Sequence, residues 1–184
     1  MLKNNLIYNQ QKKALQEGLN LFFTGKLGGD KTNDWEHWNQ EIGNLCEMLA
    51  DIIFIEKKNA TILTNNRITS VSDIGHKGLD LVAQIGNTYI IGDVKYGASK
   101  LADKQMTKDY ALGYRLDDAV GEELAKIIRK ADKENNVQYI LIHFTEEGFS
   151  EDSIAVQIYE LDDDADIKHD RSGSEIYENL VFEL

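Results

Sequence analysis

The stretches Gly78-Leu79-Asp80-Leu81-Val82-Ala83 and Tyr89-Ile90-Ile91-Gly92-Asp93-Val94-Lys95-Tyr96 set charged residues inside runs that are otherwise apolar. Both read as strands, and Ile85-Gly86-Asn87 between them suits a short hairpin connection. Side chains of a strand alternate between its two faces. Asp93 and Lys95 therefore share one face of the second run, while Ile90, Val94 and Tyr96 point to the other. A charge in a half-buried strand costs several kcal/mol unless it is paired or coordinated. Here a carboxylate and an ammonium stand side by side, with Asp80 on the neighbouring strand. Two explanations compete: a structural ion pair on an edge strand, and a set of groups gathered around a divalent cation.

The elements on either side follow from apolar spacing. Residues 11–23 carry Ala14, Leu15, Leu19 and Phe22 on one side of a predicted helix, which ends at Gly25 and the Gly28-Gly29 pair. Asp34 is the expected N-cap of a longer helix to about residue 54, with Trp38, Ile42, Leu45, Leu49 and Ile52 at helical spacing. On that helix Glu47 lies beside Gly43 and Ala50, small residues suited to close approach to a sheet. Strands are expected over 60–64, 79–84 and 88–96, forming an antiparallel core. Helices over 103–112 and 116–131 follow, the second with Val120, Leu124, Ile127 and Ile128 as its buried stripe. Strands over 137–144, read as central, and 154–161 complete the regular part. Residues 162–174 are polar and acidic, and 176–182 form a marginal last element. This order implies an α/β fold, a mixed β-sheet core flanked by helices. It divides into a helical extension (1–33), a core domain (34–161) and an acidic C-terminal segment (162–184).

Composition narrows the functional classes. The single cysteine, Cys46, cannot form an internal disulfide, and no apolar stretch approaches the about 20 residues of a membrane span. The first residues lack the apolar core of a signal peptide. A net charge of −12 argues against nucleic acid at first sight, but the charge is unevenly spread. Residues 1–115 hold 14 Lys and Arg against 13 Asp and Glu, whereas the remaining 69 residues hold 6 against 19. The half with the charged strand is neutral to basic, with Lys77, Lys95, Lys100, Lys104, Lys108 and Arg115 in succession, which leaves a phosphate-facing surface open there.

The set Glu47 on a helix, Asp80 at a strand end and Asp93-x-Lys95 on the next strand resembles the PD-(D/E)xK nuclease superfamily. The segments GNLCEMLAD (43–51), GLDLVA (78–83), GDVKYGASKL (92–101) and KQM (104–106) are similar to C-terminal toxin domains of bacterial polymorphic-toxin and contact-dependent growth inhibition systems. The resemblance covers about residues 43–131, with Leu79 where the superfamily commonly has proline before its first acid. It implies a restriction-endonuclease-like fold, with 34–161 as the nuclease domain. The implied activity is a metal-dependent endonuclease cutting DNA or tRNA. It further implies delivery from a neighbouring cell as part of a larger exported protein, action in the bacterial cytoplasm, and a cognate immunity protein as partner. Glu47, Asp80, Asp93, Lys95 and Gln105 become the catalytic candidates, Gln105 matching a glutamine that follows the core lysine in these toxins. Glu41 competes with Glu47 for the helical acid.

The chemistry is intelligible from the residues themselves. Asp80, Asp93, the Val94 carbonyl and Glu47 offer hard oxygens to a Mg²⁺-like ion, with Mn²⁺ or Zn²⁺ as alternatives. Lys95 can orient or deprotonate an attacking water and stabilise the transition state of phosphodiester hydrolysis. His76, just before Asp80, is either a further contact or a solvated loop residue; His143, within ILIHF, reads as a satisfied core side chain. Trp35 and Trp38 read as packing. Lys100, Lys104 and Lys108 read equally as a phosphate track or a solvated face. A reading of another class is an acidic immunity-type or nucleic-acid-mimic binding protein without catalysis, whose C-terminal acids engage a basic partner.

Overall fold

The hydrophobic runs assemble into one mixed sheet of six strands, ordered along the sheet as they are along the chain. The computed structural model describes residues 2–29, 35–74 and 78–184. Helices α1 (Leu2–Phe23) and α2 (Trp35–Lys58) precede strands β1 (Thr61–Ile62), β2 (Leu81–Ile85) and β3 (Thr88–Tyr96), which pair antiparallel. A crossover of three short helices follows: α3 (Lys108–Leu112), α4 (Tyr114–Val120) and α5 (Glu122–Lys133). It delivers β4 (Val137–Phe149) parallel to β3, after which β5 (Ser153–Leu161) and β6 (Tyr177–Glu183) add antiparallel neighbours. The architecture is thus α/β with a mixed sheet flanked by helices, and β4 lies inside it as the apolar run 137–144 implies.

Period two in β3 decides which core each side chain joins. Ile90 and Val94 face the core under α2, with Trp38, Ile42, Leu45, Leu49 and Ile52. Ile91 faces the second core, with Leu116, Ala125 and Ile128 of the crossover. Leu15 and Leu19 of α1 and Phe182 of β6 are buried in the α2-side core, so the first and last parts of the chain share it with the segment between them.

The structure corrects several sequence expectations. Helix α1 starts at Leu2, well before residue 11. The expected helix 103–112 survives only as α3, because Lys104 and Met106 hold φ of 61° and 65°, left-handed values that no α-helix admits. The expected helix 116–131 is broken at Gly121, φ 85°, into α4 and α5. The break rotates the buried stripe: Ala125 and Ile128 are buried, whereas Ile127 is 54% exposed. Gly43 does not pack against the sheet; nothing lies within 4 Å of a Cβ built on it. Residues 176–182, read as marginal, form the paired strand β6. The polar segment before it is organised by its own acids. Asp162 Oδ1 accepts from the backbone of Asp164 and Asp166 at 3.0 Å each, and Asp170 Oδ1 from Ser172 at 2.8 Å and Ser174 at 3.0 Å. Asp34, His76, Lys77 and the Trp35 side chain lie outside the described residues.

The turn after α1 yields a stability prediction. Gly28 has φ +67° and a Cβ there would sit 2.4 Å from Trp38 Cα, whereas Gly29, φ +68°, has nothing within 4 Å. Both substitutions by alanine carry the left-handed penalty of about 1 kcal/mol, and Gly28→Ala adds an overpacking cost of about 1–3 kcal/mol. Urea melts of the two variants should separate by that second amount. Equal midpoints would show that α2 yields freely at Trp38.

Candidate active site

The site forms where β2 stops and β3 continues. Their register ends at Leu81 opposite Gly92, so residues 93–96 have no β2 neighbour. Asp80, one residue before β2, fills the gap: its Oδ2 accepts the Val94 amide at 2.8 Å, replacing a ladder bond with a side-chain bond. This sets the Asp80 carboxyl beside that of Asp93, close enough for each to shift the other's titration.

Asp93 is 1% exposed and every oxygen it has is used. Oδ2 takes Lys95 Nζ in an ion pair, and Oδ1 takes Gln105 Nε2 at 2.6 Å. Gln105 Oε1 in turn accepts from Ala102 N at 2.9 Å, which fixes which end of the amide faces the acid. The left-handed residues on either side of Gln105 explain how it gets there. Lys104 and Met106 bend the chain into the turn that aims Gln105 at the sheet, and Met106, fully buried, pins it. Lys95 Nζ also lies 3.5 Å from the Val94 carbonyl, placing that oxygen on the site side.

Glu47 joins the set electrostatically from α2. Burial, and then the charges of Asp80, Asp51 and Asp93, hold its carboxyl well above the ordinary range, against the pull of Lys95. Burial and Asp93 hold Asp80 at about 8, outweighing the Val94 amide and Lys95. Burial also raises Asp93, less so because Lys95 and Gln105 oppose it. Three acids thus lean on one ammonium, and each carboxyl is held above its ordinary value. Glu41 is elsewhere: it accepts from Gly28 N at 2.6 Å and pairs with His37 at 2.8 Å, closing the α1–α2 turn. His143 is half-buried, and its Nε2 is 2.7 Å from the Gly97 carbonyl.

One polar group escaped the sequence reading. Asp51, one helical turn after Glu47, is buried and accepts from Arg67 Nε and Gln11 Nε2 at 2.7 Å each, while Arg67 Nη2 reaches Gln11 Oε1 at 2.6 Å. An acid inside the apolar run of α2 was the available signal; its partners, 40 residues upstream and 16 downstream, were not local.

A cavity of about 760 Å³ runs along this edge between α2 and the end of β3, lined by Ile42, Gly43, Val94, Lys95 and residues 96–99. The missing side chain of Gly43 is part of what opens it. A second cavity, of about 970 Å³, shares Ser99 and is walled by Lys100, His143 and the 162–176 segment. Among the described residues no three His, Cys, Asp or Glu side chains converge on a common point at metal-ligand distance. The donors at hand are carboxylate and carbonyl oxygens, the ligand type of a hard divalent ion, and the raised Asp80 and Glu47 carboxyls mark crowded negative charge that such an ion would neutralise. Comparison of the chain with protein-family models, curated proteins and solved structures finds no match.

Proposed function

We propose that the protein is a metal-dependent endonuclease of the PD-(D/E)xK type, restriction-endonuclease-like in fold, hydrolysing phosphodiester bonds in DNA or tRNA. The observation that carries the proposal is the gathering of Asp80, Asp93, Lys95 and Gln105 on the uncovered edge of β3, with Glu47 in electrostatic contact and a cavity alongside. A structural ion pair would explain Asp93 and Lys95 alone. It does not explain a second carboxyl kept beside Asp93 against its repulsion, nor a strained turn spent on aiming an amide at the same acid.

In this reading Asp80, Asp93, the Val94 carbonyl and Glu47 hold a divalent ion, Mg²⁺ first, with Mn²⁺ or Zn²⁺ as alternatives. Such an ion neutralises charge on the scissile phosphate and acidifies the attacking water. Gln105 keeps Asp93 oriented. Lys95, 16% exposed at its side chain, is the one group of the set that can both reach solvent and carry positive charge. It orients the water and meets the charge that develops on the phosphate. The similarity to delivered toxins supports a role in contact-dependent inhibition, with action in the cytoplasm of a bacterial neighbour and neutralisation by a cognate immunity protein.

The test is incubation of the protein with plasmid DNA and with total tRNA, in Mg²⁺, Mn²⁺, Zn²⁺ or EDTA. Cleavage of one substrate that requires the cation is the expected result. Absence of cleavage with every cation would shift the reading to an acidic binding protein.

A further inference from the structure

Beside the candidate site the crossover presents an aromatic and cationic surface that catalysis does not use. The Arg115 guanidinium lies 3.9 Å from the ring centroid of Tyr110 and 4.7 Å from that of Tyr114. Tyr114 is 65% exposed, and Arg115 forms no ion pair among the described residues. This corner is held rigidly. Arg129 donates to the Leu112 carbonyl at 2.7 Å and the Gly113 carbonyl at 2.9 Å, and its other bonds pair it with Asp117. The half-buried Arg129 thus fixes the backbone between α3 and α4 that carries the two tyrosines. Arg115 also lines a small cleft together with Asp118, Gly78 and Leu79, the two residues that precede Asp80 in the chain.

Resting on the nuclease reading, we infer that Tyr110, Tyr114 and Arg115 form a clip for an unpaired nucleotide of the substrate strand. The tyrosines use one face each for the guanidinium, and the exposed ring of Tyr114 offers a surface on which a base can stack. The edge of the guanidinium keeps N–H groups for a phosphate, which its stacked plane orients. Stacking of this kind takes bases whose faces are free, so the clip selects single strands, loops or splayed ends over intact duplex.

The experiment measures binding rather than cleavage. Short single-stranded DNA and RNA oligonucleotides containing 2-aminopurine, and their duplexes, are titrated with the protein in EDTA. Wild type should quench the single strands. Tyr114→Ala should lose the quenching and bind them about 5- to 100-fold more weakly, while Tyr114→Phe retains both. Arg115→Ala should weaken binding comparably, and Arg115→Lys, which keeps charge without the plane, should follow it. Unaltered affinity and quenching in Tyr114→Ala and Arg115→Ala, or no quenching by wild type, overturns the clip. Parallel assays with plasmid and tRNA in Mg²⁺ separate the two readings. Cleavage without quenching removes the clip alone, and clip-dependent binding without cleavage under any cation removes the nuclease.

Discussion

Asp93→Ala and Lys95→Ala are each expected to lower phosphodiester cleavage by about 10²–10³-fold or more, the range seen when one preorganised group is removed from a charged transition state. The two losses should differ in origin, and metal binding can tell them apart. Asp93 is the centre of the set: Lys95 and Gln105 both bond to it, and Asp80 stands beside it. Its removal strips the site of a central oxygen donor, so Mg²⁺ should no longer raise the melting temperature. Lys95 pairs with a carboxylate oxygen of Asp93, the acid that would hold a cation. Its removal takes away a competing positive charge, so Mg²⁺ should bind at least as tightly as in wild type while turnover collapses. Calorimetric titration with Mg²⁺ beside the cleavage assay decides this. If Lys95→Ala loses metal affinity together with activity, the lysine shapes the site and does not act on the phosphate. If it keeps full activity, the ion pair is structural.

Much of this arrangement was legible because strands obey a rule that uses only neighbours in sequence. Alternation along residues 89–96 placed Asp93 and Lys95 opposite Ile90 and Val94, and the two cores divide there as expected. The buried face of α2 was legible for the same reason. What the sequence concealed depends on single backbone angles or on distant pairing. Gly121 interrupts an apolar period that continues past it, so the break, and with it the exposure of Ile127, left no mark in the spacing. The left-handed Lys104 and Met106 sit within a helix-like pattern, and the turn they make is what delivers Gln105 to Asp93. Strand β6 is short, follows an acidic segment and gains its order from pairing with β5, a partner that propensity does not register. The acids of 162–174 looked like solvated charge, yet Asp162 and Asp170 each close a turn with their own backbone neighbours.

Asp80→Asn should separate stability from function in the opposite sense to an ordinary core substitution. The Asp80 carboxyl is held at about 8 against an ordinary value of 3.8, chiefly by burial and then by Asp93. The folded state therefore binds this proton more tightly than the unfolded chain does. Its stabilising contribution is complete below the unfolded value and is lost as pH rises toward and through about 8. In EDTA the wild-type stability should fall between about pH 5 and about pH 9, seen as a falling melting temperature, with a free-energy slope bounded near 1.4 kcal/mol per pH unit for one proton. The asparagine variant keeps an oxygen to accept the Val94 amide, removes the titration and relieves the repulsion of Asp93 and Glu47. At about pH 9 in EDTA it should melt about 3–8 °C above wild type. Mg²⁺ should reverse the order. Cation binding and proton binding compete for the same oxygens, so wild type gains most where its proton is weakest, while the variant, lacking one carboxylate, gains little. An EDTA melting curve with the same pH dependence in both proteins would show that Asp80 carries no such proton, and the negative charge of the site would then have to be balanced through Glu47. A variant that melts lower than wild type at every pH would show instead that Asp80 is structural, its bond to Val94 outweighing the repulsion it creates.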